Sequence, residues 1–190
     1  EPKSMVVRVF ALGAVVAAGV GIPIVDGLFH VDTWVSESPF VTRLLAGFLI
    51  IGITQESLKY AVVRFSVFSS DEFDGLTDAI VYTTAAGIGY ATVLNVTFVL
   101  QSGGAALGPG AIRIAISLLA HAGFAGVMGY FLGRQRRERR PLWWMPAGVA
   151  TAAALNAVFF TVRVSLVQAG FAQPRYWLGL ARGVVFAVGV

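Results

Sequence analysis

Long apolar runs separated by short polar clusters dominate the chain, and they fall at residues 5–25, 40–66, 76–101, 110–133, 142–168 and 177–190. The first five reach the roughly 20 residues that a helix needs to cross a bilayer. The sixth is shorter and stops at Val190, as a cropped final span would. The pattern predicts an all-α, polytopic transmembrane helix bundle of about six spans. Glu1-Pro2-Lys3-Ser4, ahead of Met5, reads as a tag remnant, which leaves residues 5–190 as a single transmembrane domain. The first span lacks a small-residue cleavage pattern and is expected to stay as a helix.

Composition agrees with the pattern. Hydrophobic residues make up 57% of the chain and charged residues 13%, with a mean hydropathy of +0.78; a soluble domain stays below about half apolar. There is no cysteine, so disulfide scaffolds, thiol nucleophiles and cysteine metal sites are excluded together. Net charge is +4, and much of the excess lies in Arg134-Gln135-Arg136-Arg137-Glu138-Arg139-Arg140, between the fourth and fifth spans. Five arginines in what reads as a short loop place that loop in the cytoplasm, because basic residues resist export. Alternation then puts the N-terminus and the turn at 69–75 on the same side, and residues 26–39, 101–110 and 170–176 outside. Trp143, Trp144, Tyr176 and Trp177 fall at interfaces, where aromatic belts form. The charge is thus a topology signal in a bilayer-embedded protein of the cell membrane, and nucleic acid is not an expected partner.

Small residues are dense in the third and fourth spans: Ala85, Ala86, Gly87 and Gly89, then Gly123, Ala125, Gly126, Gly129 and Gly133. Such residues let membrane helices approach backbone to backbone, so these two spans are expected to form the interior. No internal repeat or inverted pair of broken helices is visible.

Against this background Gln55-Glu56-Ser57-Leu58-Lys59 stands out, because ionisable groups at membrane depth are costly and mark sites. Spacings of three and four let Gln55, Glu56 and Lys59 share one stretch of helix surface. At 1.5 Å per residue, Glu56, His121 and Asn156 lie about 15, 18 and 21 Å from the cytoplasmic ends of their helices. Three polar groups on three helices therefore occupy one band near mid-membrane. A carboxylate beside an ammonium can hold and deprotonate water, and an imidazole with a carboxamide can donate to a developing oxyanion. That inventory suits amide hydrolysis. Asp78 sits a turn inside the third helix, where an acid also complements the helix N-terminus. Asn95, on the same helix, is about 100° away around it, so the two can share a cavity only if the helix bends, and Gly87 and Gly89 lie between them.

Other chemistries fit less well. Of the two histidines, His30 is in an outer loop, and there is no His-Glu-x-x-His. Glu56, His121 and Asn156 could in principle hold a metal, but the ligand pattern of zinc is missing, so no cofactor is expected. Ser117 is four residues before His121 on one helix and reads as a back-bonded packing serine. A small transporter or channel with a polar core is the alternative outside enzymology, though the polar residues form a compact cluster instead of a stripe through the membrane.

In residues 40–160 the chain resembles the PrsW family of intramembrane proteases, relatives of the CAAX prenyl protease and bacteriocin-processing group classed as glutamic-type. The family's Glu-Glu-x-x-Lys motif is matched by Gln55 to Lys59. Its Asp-Gly-Ile-x-Tyr-Gly and Gly-x-Gly-[Phe/Tyr]-Ala elements are matched by Asp78 to Thr83 and by Gly87-Ile88-Gly89-Tyr90-Ala91, and its Glu-Asn by Leu94-Asn95. His121-Ala122-Gly123-Phe124, Gly129-Tyr130-Phe131-Leu132-Gly133 and Leu155-Asn156 match the later elements. The resemblance implies site-specific cleavage of a single-span membrane protein, an anti-sigma factor being the best-known kind. It assigns water activation to position 55 and Glu56, tuned by Lys59, and oxyanion stabilisation to His121 and Asn156, with Asp78 and Asn95 in support. Two departures matter. Leu94 replaces an acid, and Gln55 replaces the motif's first glutamate with an amide that cannot take up a proton. The second is a change of the kind introduced to trap a protease before chemistry, and it implies an inactive chain, a protease by descent that retains the option of binding partners as a pseudoprotease.

Overall fold

The computed structural model describes residues 2–101, 107–138 and 140–168, with side chains left aside at 107–109. The described residues are helical throughout their long segments: α1 (Lys3–Leu28), the short α2 (Val31–Trp34), α3 (Phe40–Ser66), α4 (Leu76–Gln101), α5 (Leu107–Glu138) and α6 (Trp144–Leu166). Five of these are long and apolar enough to cross a membrane, α5 from Gly110 onward. The protein is an all-α, multi-pass membrane bundle. The sixth segment, at 177–190, and its border aromatics Tyr176 and Trp177 lie outside the described residues. The large side chains that face outward are mostly apolar, Val7, Val15, Val41, Leu49 and Leu119 among them. A surface of that kind suits acyl chains, not water.

α4 lies between α1 and α5, α6 packs against α5 and α3, and α3 touches each of the other four spans. Lipid tails are as apolar as leucine, so close packing and polar bonds must hold such helices together. Glycines supply the close packing. A Cβ on Gly13 or Gly89 would meet a carbonyl oxygen of the facing helix at 2.2 Å (Ala86) or 2.0 Å (Phe10), so α1 and α4 are in backbone contact. Gly129 and Gly133 of α5 press against Thr83 and Leu76 of α4 in the same way. Gly123 does not take part, contrary to expectation: nothing lies within 4 Å of a Cβ placed there. The interior is also not formed by the third and fourth spans alone, because α4 is the most buried span but α3 is second to it.

A further difference concerns the arginine run. α5 continues through Glu138, so Arg134, Arg136 and Arg137 lie on the helix instead of in a loop, Arg136 and Arg137 in its last turn. Cations there complement the exposed carbonyls at the helix C-terminus. Arg134 pairs with Glu138 at 2.7 Å, and Arg140 also pairs with Glu138. Trp144 donates its indole N–H to the Phe131 carbonyl at 2.9 Å, while Trp143 is exposed.

Candidate active site

Two sets of small residues bring the polar groups together. α3 carries a widened π turn at Gly47–Gly52, which ends three residues before Gln55. Single π turns of this kind often sit beside functional positions. A Cβ on Gly52 would meet the Ala153 carbonyl at 2.6 Å, and one on Gly47 would meet Ala157 at 3.3 Å, so α3 and α6 run almost in contact there. Asn156, between those two alanines, is thereby held against Gln55 and Glu56. Gly87 of α4 does the equivalent for α5: a Cβ on it would meet the His121 carbonyl and the Ala125 side chain at 2.7 Å.

The result is a buried network across α3, α5 and α6. Glu56 and Lys59 are each 0% exposed, and the Lys59 ammonium donates to Glu56 Oε1 at 2.7 Å and lies 3.0 Å from His121 Nδ1. Asn156 Nδ2 donates to Glu56 Oε1 at 2.9 Å and to Gln55 Oε1 at 3.0 Å. Only the amide nitrogen can serve both acceptors, because a carbonyl oxygen there would face a carboxylate. Lys59 therefore does not reach toward the interface as an isolated membrane cation would. A lysine N–H directed at Nδ1 leaves the imidazole proton on Nε2.

The network leaves particular atoms uncommitted. Glu56 Oε2 is buried with no partner, and so is Tyr90 Oη. Tyr90 was not among the polar residues singled out by depth. Its only signal was its place in the Gly87 to Ala91 element. The ring lies 5.5 Å from Lys59 Nζ and 6.3 Å from the His121 ring. Its hydroxyl fits only because residue 21 is glycine, where a Cβ would come within 1.8 Å of it.

Gln55, Glu56, Lys59, His121 and Asn156 thus converge, but Asp78 and Asn95 do not join them. Asp78 Oδ2 accepts the backbone N–H groups of Asp74 and Gly75 at 2.9 and 2.7 Å, which caps the start of α4. Its carboxylate in turn raises the Asp74 carboxyl above the usual range, through a side-chain hydrogen bond first and charge repulsion second. Asn95 is 3.5 Å from the Ile114 carbonyl of α5 and makes no polar contact with the cluster. α4 remains one helix between them, and Gly87 and Gly89 serve packing. Asn156 directs its amide hydrogens at Gln55 and Glu56. Arg43 is a buried cation that sequence reading passed over. It donates to Ser36 O (2.9 Å), Ser38 O (3.0 Å), Ser165 Oγ (2.9 Å) and Gln168 Oε1 (2.8 Å), tying the connection after α2 to the end of α6.

Five apolar spans around a fully buried carboxylate and ammonium define a multi-pass membrane protein with an ionisable intramembrane site. The family model described as PrsW family intramembrane metalloprotease matches residues 1–189, and the chain belongs to that family. It is 29% identical over 147 residues to Protease PrsW of Geobacillus kaustophilus, which covers 76% of this chain and 61% of that one. To Protease PrsW of Oceanobacillus iheyensis it is 27% identical over 136 residues, 72% of this chain and 59% of the relative. To Protease PrsW of Bacillus subtilis it is 26% identical over 189 residues, 96% and 82% of the two chains. The chain thus spans about three fifths of the first two relatives. No solved structure matches it.

The family's description names a metal, and the donors here do not fit one. Among the described residues no three His, Cys, Asp or Glu side chains are placed to share an ion. The space between the Glu56 oxygen and His121 Nδ1, where a divalent cation would bind, is taken by the Lys59 ammonium. Zinc sites use at least three strong ligands, and carboxamides such as Gln55 and Asn156 are poor ones.

Proposed function

We propose that this bundle is a glutamic-type intramembrane endopeptidase site, built to hydrolyse a peptide bond of a single-span membrane substrate such as an anti-sigma factor. The observation that carries the reading is Glu56: one oxygen is fixed by Lys59 and Asn156, and the other is buried without a partner. A buried, unpaired carboxylate oxygen is costly unless a water or substrate group completes it. In this reading the acids at positions 55 and 56 take the proton of a water as its oxygen bonds to the scissile carbonyl carbon. The carbonyl oxygen gains the charge and accepts from His121 Nε2–H. The proton then passes to the leaving nitrogen as the C–N bond breaks. Lys59 and Asn156 position the acids, and no metal takes part. Because Gln55 cannot carry a proton, the chain with this sequence is inactive, and Gln55→Glu supplies the missing acid. The N-terminus and residues 134–140 lie in the cytoplasm, and the spans in the cell membrane, as the arginine distribution supports.

The test is cleavage of a panel of single-span proteins by purified Gln55→Glu protein, alone and combined with Glu56→Gln or His121→Ala. Cleavage is expected from Gln55→Glu, with losses of about 10²–10³-fold on removing the His121 donor and complete loss with Glu56→Gln. If the three folded proteins are equally inert, the hydrolytic reading fails. Gln55 itself favours a second reading, a pseudoprotease that retains single-span partners; it requires that Gln55→Glu bind such partners and cut none.

A further inference from the structure

A groove of about 950 Å³ opens between α3, α5 and α6 at the arginine-bearing end, and none of Gln55, Glu56, Lys59, His121 or Asn156 lines it. Its apolar lining includes Ile53, Leu132, Met145 and Val149, and Arg64, Arg136 and Arg140 also line it. The guanidinium carbons of Arg64 and Arg136 lie 4.3 and 5.4 Å from the centre of one ring, that of Phe68. Among the described residues neither has a carboxylate within 4.0 Å, and the nearby Glu138 is already shared by Arg134 and Arg140. Helix C-termini explain cations on these last turns, but not two of them converging on one ring at the mouth of a cavity. Like charges so placed repel unless an anion joins them.

Length identifies the anion's tail. Arg64 and Ile53 of the lining are eleven residues apart on α3, or about 16 Å at 1.5 Å per residue. Half of a hydrocarbon core about 30 Å thick is about 15 Å. Along α3 the groove's lining therefore runs about one leaflet inward, while on α5 and α6 it stays near the arginine-bearing end, between Leu132 and Val149. An extended peptide would bring N–H and C=O groups that need partners along its whole length, and besides the arginines the described lining offers only the side chains of Ser57, Tyr60 and Gln135. An acyl chain needs none. We propose that this groove binds an anionic phospholipid of the leaflet at the arginine-bearing end, with its phosphate at Arg64, Arg136 and Arg140 and one chain along α3 and α6.

The experiment compares phosphatidylglycerol with phosphatidylcholine on the purified full chain in detergent, read by lipid retention in native mass spectrometry and by thermal midpoint. Phosphatidylglycerol should be retained selectively and raise the midpoint. Arg64→Gln with Arg136→Gln should weaken it at least tenfold, while Arg8→Gln with Arg137→Gln, which removes equal charge outside the groove, leaves it unchanged. Val149→Trp, which fills space at the apolar lining and keeps every arginine, should weaken it too and carries the test if the arginine pair does not fold. Equal loss in both charge variants would reduce the effect to general surface attraction and overturn the proposal. So would retention undiminished in Val149→Trp, equal binding of glycerol phosphate without a chain, or binding of an acidic peptide in preference to the lipid. None of these readouts depends on proteolysis.

Discussion

Removing the ammonium at the centre of the network tests whether Glu56 and Lys59 act as one buried unit. Lys59 Nζ is 2.7 Å from Glu56 Oε1, and both side chains are fully enclosed. At an effective dielectric constant of about 20, unit charges at that distance attract by about 6 kcal/mol before desolvation is subtracted. Lys59→Met keeps most of the stem's volume and strands the carboxylate. Removal of one partner from a buried pair costs about 3–5 kcal/mol. Glu56→Gln strands the ammonium and should cost a similar amount. The double variant Glu56→Gln/Lys59→Met leaves no unpaired charge, so it should be more stable than either single variant, with a coupling of at least about 2 kcal/mol. Reversible unfolding in mixed micelles by titration with sodium dodecyl sulfate measures all four corners of the cycle. Additive single effects, or a Lys59→Met cost below about 1 kcal/mol as an exposed pair would give, would refute the placement of this pair in a closed, low-dielectric site.

Gly89→Ala should cost about 1–3 kcal/mol in the same assay, because the clash is with the Phe10 carbonyl of α1. Gly123→Ala, with open space around it, should be neutral or gain up to about 1 kcal/mol of helix propensity. Arg43→Met should cost about 2–3 kcal/mol, since it leaves the Ser36 and Ser38 carbonyls without their charged donor. It should also raise proteolytic sensitivity between α2 and α3, scored by limited digestion. Asp74→Asn has a signed pH dependence. The folded state raises the Asp74 carboxyl and so favours its protonated form; the cost of the carboxylate therefore sets in as pH passes the unfolded value and is complete above the folded one. The variant should melt above the parent at neutral pH and coincide with it in acid well below the ordinary aspartate range, where both carry a neutral side chain.

The spans were legible because bilayer thickness imposes a length on any apolar helix, and the boundaries at Phe40–Ser66 and Leu76–Gln101 fell where the hydrophobic pattern placed them. The shared depth of Glu56, His121 and Asn156 was legible for the same reason: a constant rise per residue turns sequence number into height. Azimuth was not. Whether Asp78 and Asn95 face the cluster depends on how α4 is rotated and bent, which neighbouring helices decide. Their backbones also compete for the side chains, so Asp78 is spent on capping its own helix. Tyr90 and Arg43 were missed because burial of their polar ends is a property of what surrounds them.

Sequence by itself therefore determined the environment, the number of apolar segments, the height of each polar group and, through the motif, the oddity of an amide at position 55. Only the tertiary structure decided which groups touch. Glycine-to-backbone contacts let the helices approach closely, and that approach lets Asn156 reach both Gln55 and Glu56 and puts His121 beside Lys59. It also decided which atoms stay free, Glu56 Oε2 and Tyr90 Oη, because vacancy in a packed interior is a matter of every neighbour at once.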